Sequence, residues 1–249
     1  KYLAFTFIMQ TIAANMGGMI TPYGNPQNLY LYSYYNINTT EFFSILLVPS
    51  ITVAVLLWIC CAFVHNETLK LRKNSKIIIS KKELCIYSIL FIFVILSIFR
   101  VIPYLITLAI VVLTILIMDR KRFKQIDYAL IATFFVFFVF SGNIARISAI
   151  KEFISEIVVK NTLLAGIMSC QFISNVPTAI FLSKFTTNYK ELLVSVNIGS
   201  LGILISSLAS LITLKEFLKH QPKNFWKYLI MYTIFNTLFL VVLLLVTTL

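Results

Sequence analysis

The sequence predicts an all-α membrane protein made of inverted repeats, with broken transmembrane helices and a re-entrant hairpin. Three observations lead there. Of the 249 residues, 59% are hydrophobic and the mean hydropathy is +0.92, whereas soluble domains are nearer half apolar and about a quarter charged. Charged residues make up 12% of the chain and cluster between long apolar stretches, as happens when hydrocarbon excludes charge. Finally, an asparagine–glycine motif recurs at a fixed offset, which is the sequence mark of an internal repeat.

A helix needs about 20 mostly apolar residues to cross the hydrocarbon. Stretches of that kind lie at 2–35 (with a polar break), 42–64, 84–99, 101–118, 127–144, 191–214 (again with a break) and 228–249. Residues 145–160 read as an amphipathic helix lying on the outer interface. The segment 161–185 is too long for one clean span and is broken at Ser174 to Pro177. It is expected to enter and leave on the same side as a re-entrant hairpin, because broken backbone at membrane depth survives only where protein or a water-filled cavity surrounds it.

Loop charges set the orientation, since cytoplasmic loops hold the excess of Lys and Arg. One side collects 15 of the 21 basic residues, including the runs at 70–82 and 120–124 and the lysines at 215–227. The other side holds Arg100, Arg146, Lys151, Lys160, Lys184 and Lys190. The first side is therefore expected to be cytoplasmic and the chain an integral protein of the plasma (inner) membrane.

Several function classes fall away. The net charge of +12 would suit nucleic acid, but no basic stripe interleaved with stacking aromatics accompanies it. Cys60, Cys61, Cys85 and Cys170 lie inside apolar stretches without metal-ligand spacing. No Asp, Glu or His falls in the middle of an expected crossing, so no proton relay, catalytic acid–base pair or charged metal cage is offered. The chain is not expected to be an enzyme. Lys1 in place of Met, followed at once by an apolar stretch, predicts that further sequence precedes it.

Asn15-Met16-Gly17-Gly18-Met19 matches Asn197-Ile198-Gly199-Ser200-Leu201 at an offset of 182, and Glu41-Phe42-Phe43 aligns with Asn224-Phe225-Trp226 at 183. By the loop charges the two copies have opposite topology. The predicted organisation is therefore 1–83 as the end of a first repeat, with its broken helix, following span and basic loop, and 84–249 as the second repeat with its hairpin.

Thr21-Pro22-Tyr23-Gly24-Asn25-Pro26-Gln27-Asn28 interrupts an apolar stretch with two prolines, a glycine and three side-chain amides. Proline removes backbone donors and glycine permits unusual dihedrals, so the interruption frees carbonyls and amides inside the membrane. Such groups can hold a cation, or an anion at a half-helix N-terminus. Ser174-Asn175-Val176-Pro177-Thr178 adds hydroxyls and an amide at the hairpin turn. These are neutral ligands, suited to reversible binding. In the second repeat, Gly199, Gly202, Ser206, Ser207 and Ser210 read as a small, polar helix face for packing, with Asn197 as the binding candidate because it matches Asn15. The expected substrate- or ion-binding residues are Asn15, Thr21, Gly24, Asn25, Pro26, Asn28, Ser174, Asn175, Thr178 and Asn197.

On Gly17 to Asn28 and Ser174 to Leu211 the chain resembles the ion transporter superfamily of divalent-anion/sodium symporters, citrate carriers and arsenite or sodium/proton transporters. Ser174-Asn175 resembles the family's hairpin tip, with Val176 where the symporters carry threonine. The two broken helices correspond to 24–28 and 197–210. The resemblance implies a secondary active transporter moving a small inorganic or carboxylate anion across the lipid bilayer. It further implies coupling to sodium or protons, no cofactor or metal beyond that ion, no nucleic acid, and a homodimer. Cation/proton antiport or arsenite efflux is the alternative within transport. A membrane enzyme, or a lipid-binding scaffold using the basic face at 70–82, is the alternative of another class.

Overall fold

The computed structural model describes residues 2–64, 80–118 and 120–248, and every regular element among them is helical. In chain order the α-helices begin with α1 (Leu3–Gly17), α2 (Pro26–Tyr34), α3 (Thr39–Ala62), α4 (Lys81–Ile98), α5 (Tyr104–Met118) and α6 (Tyr128–Ile144). They continue with α7 (Ser148–Lys160), α8 (Thr162–Ile173), α9 (Asn175–Leu182), α10 (Tyr189–Ile198), α11 (Leu208–His220) and α12 (Phe225–Thr248). Of the expected basic loop, Lys70, Arg72, Lys73 and Lys76 lie outside the described residues.

Three stretches are long and apolar enough to cross a membrane unaided, Leu3–Ile20, Thr39–Ala62 and Pro222–Thr248, and the bent pair α6–α7 adds a fourth if taken as one span. The expected crossings at 84–99 and 101–118 correspond to α4 and α5. With 15 residues, α5 rises about 22 Å, short of a hydrocarbon core of about 30 Å.

The chain forms two compact units, Lys1–Cys61 with Ile131–Leu249, and Ala62–Leu130. In the first unit the core gathers residues such as Ile8, Ile12, Met16, Leu31, Phe42, Leu192, Val196, Phe217, Tyr228 and Tyr232, all at most 1% exposed. The helix α10 is buried on every side from Leu192 onward apart from Val194, as expected of a helix enclosed by others. Its tightest neighbour is α8, where a methyl group on Gly166 would collide with Ser195, and one on Gly199, besides striking Ser195 O, would press tightly on Ile167 and Cys170. Small residues allow that approach in the absence of a hydrophobic drive between helices.

Residues 161–185 do fold back on themselves. The hydroxyls of Thr162, at the start of α8, and Thr186, beyond the end of α9, lie 3.5 Å apart. A straight helix over the same 24 steps would separate them by about 36 Å. Two bonds secure the base: Asn161 Oδ1 caps α8 by accepting from Leu164 N (2.8 Å), and Glu191 accepts from Leu163 N (3.2 Å). The expected amphipathic helix before the hairpin is α7, turned 103° from α6.

In the second unit α4 and α5 pack as a pair joined by residues 99–103. Only Leu90 and Thr107 of these two helices are buried, and large side chains such as Phe91, Tyr104 and Ile117 stand exposed. This is a composition that lipid solvates and water does not. The turn Arg120–Gln125 carries the expected basic residues, with the Arg122 guanidinium 4.9 Å from the centre of the Tyr87 ring.

Candidate functional site

The first break lies between α1 and α2. After Gly17 the chain tightens into the 3-10 turn Gly18–Ile20, leaves the helix, and resumes at Pro26. Proline occupies the first helical position, where its missing N–H costs nothing and its ring fixes a helical φ. Gly18 and Gly24 meet backbone to backbone, and a side chain on either would strike the other or Asn25. Asn25, the N-cap of α2, does not cap it. Its Nδ2 instead donates to Asn15 O at 2.8 Å. Asn28 Nδ2 faces three carbonyls, those of Gly18, Met19 and Thr21, each at 3.3 Å.

The second break lies between α10 and α11 and is as complete as the first. Sequence reasoning expected only a softer break here, with Gly199, Gly202, Ser206, Ser207 and Ser210 as a small, polar helix face; in the structure residues 199–207 are unwound, with only the short 3-10 turn Leu204–Ser206 inside them. The physical reason is local. Gly202 takes φ +105°, a left-handed conformation that side chains avoid. The serines compete for backbone groups: Ser200 Oγ donates to Asn197 O (2.6 Å), Ser206 Oγ to Ser200 O (2.7 Å), and Ser207 Oγ caps α11 by accepting from Ala209 N (3.2 Å). No proline was needed. Of the five small residues expected on that face, Ser210 alone lies in an α-helix, its hydroxyl 2.5 Å from Tyr232 OH, while Gly199 keeps the packing role expected of it.

At the hairpin tip the single non-helical residue is Ser174, with φ 70° and ψ 159°. That region is almost exclusive to glycine. Its hydroxyl reaches Asn175 Oδ1 (3.3 Å) and Ser206 O (3.4 Å), and its carbonyl accepts from Thr178 Oγ1 (2.8 Å). Asn175 Oδ1 also accepts from Val176 N at 2.9 Å.

One hydrogen-bonded chain joins the three pieces. Ser174 at the hairpin tip contacts Ser206 of the second break; the adjoining Ser207 donates to Asn15 Oδ1 (2.8 Å); Asn15 O accepts from Asn25; and Asn197 Nδ2 donates to Asn28 Oδ1 (2.7 Å). Asn15, Asn25, Asn28, Ser174 and Asn197 are thus brought together, with Asn175 beside them. Thr21 contributes its carbonyl, Gly24 its lack of a side chain, Pro26 the start of α2, and Thr178 a bond back onto Ser174. Two side-chain polar atoms of this hydrogen-bonded network are buried without a hydrogen-bond partner among the described residues, Asn15 Nδ2 and Asn197 Oδ1. One is a donor and the other an acceptor. No group of three or more His, Cys, Asp or Glu gathers among the described residues, so the site is built of amides, hydroxyls and backbone.

Sequence reasoning missed Gln171. Its Nε2 donates to Gly199 O (2.9 Å) and Leu201 O (3.0 Å), and its Oε1 accepts from Ile203 N (3.1 Å). The available signal was a lone amide in the apolar run before the hairpin tip.

The profile of the citrate transporter family matches residues 3–194, a span that takes in the first break and the whole hairpin. The chain belongs to the citrate transporter family. This bears out the resemblance drawn from the two motif regions, and with the long apolar helices it makes the chain an all-α integral membrane protein. Among curated relatives, an uncharacterized transporter from Methanocaldococcus jannaschii is 37% identical over 218 residues, covering 86% of this chain and 59% of the relative. The inner membrane protein YbiR from Escherichia coli is 25% identical over 227 residues, covering 89% of this chain and 60% of the relative. The chain therefore spans about three fifths of the length of these relatives. No solved structure matches it.

Proposed function

We propose that this citrate transporter family chain carries much of the binding site of a secondary active transporter, which moves a small inorganic or carboxylate anion coupled to sodium or protons. The observation that carries the reading is the hydrogen-bonded chain from hairpin tip to both breaks, with a stranded donor and a stranded acceptor buried within it. A buried polar atom without a partner is costly. In a transporter, the ligand supplies what is missing.

Asn15 Nδ2 is suited to an anion oxygen, and the N-termini of α9 and α11 add positive dipole ends. Asn197 Oδ1 is suited to a cation. All these ligands are neutral, so binding is reversible. The family's description favours a carboxylate among the anions.

Inverted repeats fit the same reading. The second half-helices begin at Pro26 and Leu208, an offset of 182, and the first halves end at Gly17 and Ile198, an offset of 181. Each repeat's asparagine also reaches the opposite break, Asn15 to Ser207 and Asn197 to Asn28. On this reading 161–185 re-enters the membrane, the basic loops are cytoplasmic in the inner membrane, and the protein works as a homodimer.

The test is uptake of citrate, sulfate and phosphate by the full-length protein in liposomes, with and without sodium or proton gradients. Asn175→Ala and Asn25→Ala should each lower uptake about tenfold or more, the loss of one charge-assisted contact. Unchanged uptake in correctly inserted variants would sink the assignment.

A further inference from the structure

The two unwound segments are held in the same way. In the first, Asn28 Nδ2 is surrounded by the carbonyls of Gly18, Met19 and Thr21 at 3.3 Å each, while its Oδ1 accepts from Asn197 Nδ2 at 2.7 Å. In the second, Gln171 Nε2 is surrounded by the carbonyls of Ile167 (3.3 Å), Gly199 (2.9 Å) and Leu201 (3.0 Å), while its Oε1 accepts from Ile203 N at 3.1 Å. An NH2 group has two hydrogens. Each therefore serves three inward-facing oxygens with two protons, and four of the six contacts lie at 3.3 Å, beyond the usual bond length for N–H···O.

Carbonyl dipoles converging on one point repel each other unless something positive sits there. A monovalent cation is the ordinary solution, as in rings of backbone carbonyls that replace a hydration shell. Here a tethered amide occupies that point in both segments. Neighbouring groups set its orientation: Asn197 Nδ2, itself bonded to Leu193 O at 2.8 Å, presents only a donor to Asn28, and Ile203 presents only an N–H to Gln171. Turning either amide over would set oxygen against oxygen and hydrogen against hydrogen. Gly202 wraps closely around Gln171, leaving no room for a side chain of its own.

We propose that Asn28 and Gln171 are positioning residues whose NH2 groups stand in for a cation, one in each unwound segment, so that both breaks keep their shape with no ion bound. This goes beyond the transport reading and does not depend on which ion or anion is carried. It assigns the two amides to the scaffold and leaves Asn15 Nδ2 and Asn197 Oδ1 as the atoms open to ligand.

The test converts each surrogate into a carboxylate of the same shape. Asn28→Asp and Gln171→Glu keep the oxygen that accepts from Asn197 or Ile203 but replace the NH2 with a fourth oxygen, completing a cage that needs a real cation. Thermal unfolding of the purified full-length protein is followed in choline chloride and in lithium, sodium and potassium chloride at equal ionic strength, each variant being compared with wild type in the same salt. Either carboxylate variant should melt about 5 °C or more below wild type in choline and recover most of that loss in one of the alkali salts. Lowering the pH should also restore part of it, by returning one proton to the carboxyl group. Asn28→Leu and Gln171→Met should show the loss without cation rescue. The proposal is overturned if both carboxylate variants match wild type in choline, if neither is rescued by any of the three cations, or if neither folds in any salt. Because the readout is stability, an absence of transport in liposomes would leave this result standing.

Discussion

Asn197 Nδ2 donates to Asn28 Oδ1 at 2.7 Å, joining two fully buried side chains 169 positions apart. The second hydrogen of Asn197 Nδ2 goes to Leu193 O, four residues earlier on α10. Both protons are therefore committed, and Asn197 Oδ1 must point away from both partners. Its lack of a hydrogen bond follows from the order of the network. The orientation of Asn28 is fixed in turn, since its other end faces three carbonyls.

A double-mutant cycle tests whether this bond holds the two breaks together. Asn28→Ala and Asn197→Ala should each destabilise the protein by about 1–3 kcal/mol, because each leaves buried partners unsatisfied. The pair should couple by about 0.5–3 kcal/mol. Denaturant unfolding in mixed micelles measures both quantities, and strictly additive costs would show that the bond links nothing.

Ser174 holds a glycine-like conformation while carrying a hydroxyl that glycine lacks. Its φ of 70° costs about 1–3 kcal/mol, which glycine would largely relieve. Ser174→Gly should therefore melt at or above the wild-type temperature yet lose about tenfold in liposome uptake, whereas Ser174→Ala should lose stability and uptake together. Wild-type uptake by the glycine variant would mean that the hydroxyl, with its contact to Ser206 O, has no part in binding.

The all-α membrane architecture was legible because hydropathy and charge spacing are properties of whole segments. The first break was legible because proline and glycine act locally: Pro22, Gly24 and Pro26 cannot be accommodated in a continuous helix. The second break was legible only as a softer interruption, not as a full unwinding. Gly199, Gly202 and the serines are each tolerated in membrane helices, and what unwinds the chain there is partly a side chain from elsewhere, Gln171 on α8. Glutamine in an apolar run gives no hint of its partner, so a contact spanning about thirty positions lay beyond local reasoning. Likewise Asn28 was recognisable as a polar group at a break. That its Nδ2 turns inward to the backbone while Asn197 keeps a free oxygen is a matter of three-dimensional order.

The close pairing of α8 with α10 makes a further prediction. At Gly166 a side chain would collide with Ser195, and both helices are needed to align the hairpin with the second break. Gly166→Leu should destabilise by about 1–3 kcal/mol or more, as overpacking does, and should abolish uptake. The same change at Gly142, which has open space around it, should alter neither by more than about 0.5 kcal/mol. Equal sensitivity at the two glycines would contradict the packing argument.

The base of the hairpin is fastened to α2 by tyrosines. Ser183 Oγ gives its proton to Ile180 O (2.9 Å), so Tyr30 OH is the donor in its 2.7 Å bond to Ser183. Tyr35 OH donates to Thr186 O at 2.7 Å and lies 3.2 Å from Ser183 O. Lys184 Nζ sits 4.4 Å from the centre of the Tyr34 ring. Removing the Tyr30 and Tyr35 hydroxyls together, as Tyr30→Phe with Tyr35→Phe, deletes bonds contributing about 0.5–1.5 kcal/mol each while leaving the ring packing in place. Local opening of 183–188 should then become about 5- to 100-fold more frequent, visible as faster amide hydrogen exchange there, with α10 unaffected because opening is local. If exchange rises equally in α10, the tyrosines support the whole unit rather than the hairpin base. If it rises nowhere, the tilted ring contact of Tyr35 with Tyr189, with centroids 5.6 Å apart, is sufficient to hold the base without the hydroxyls.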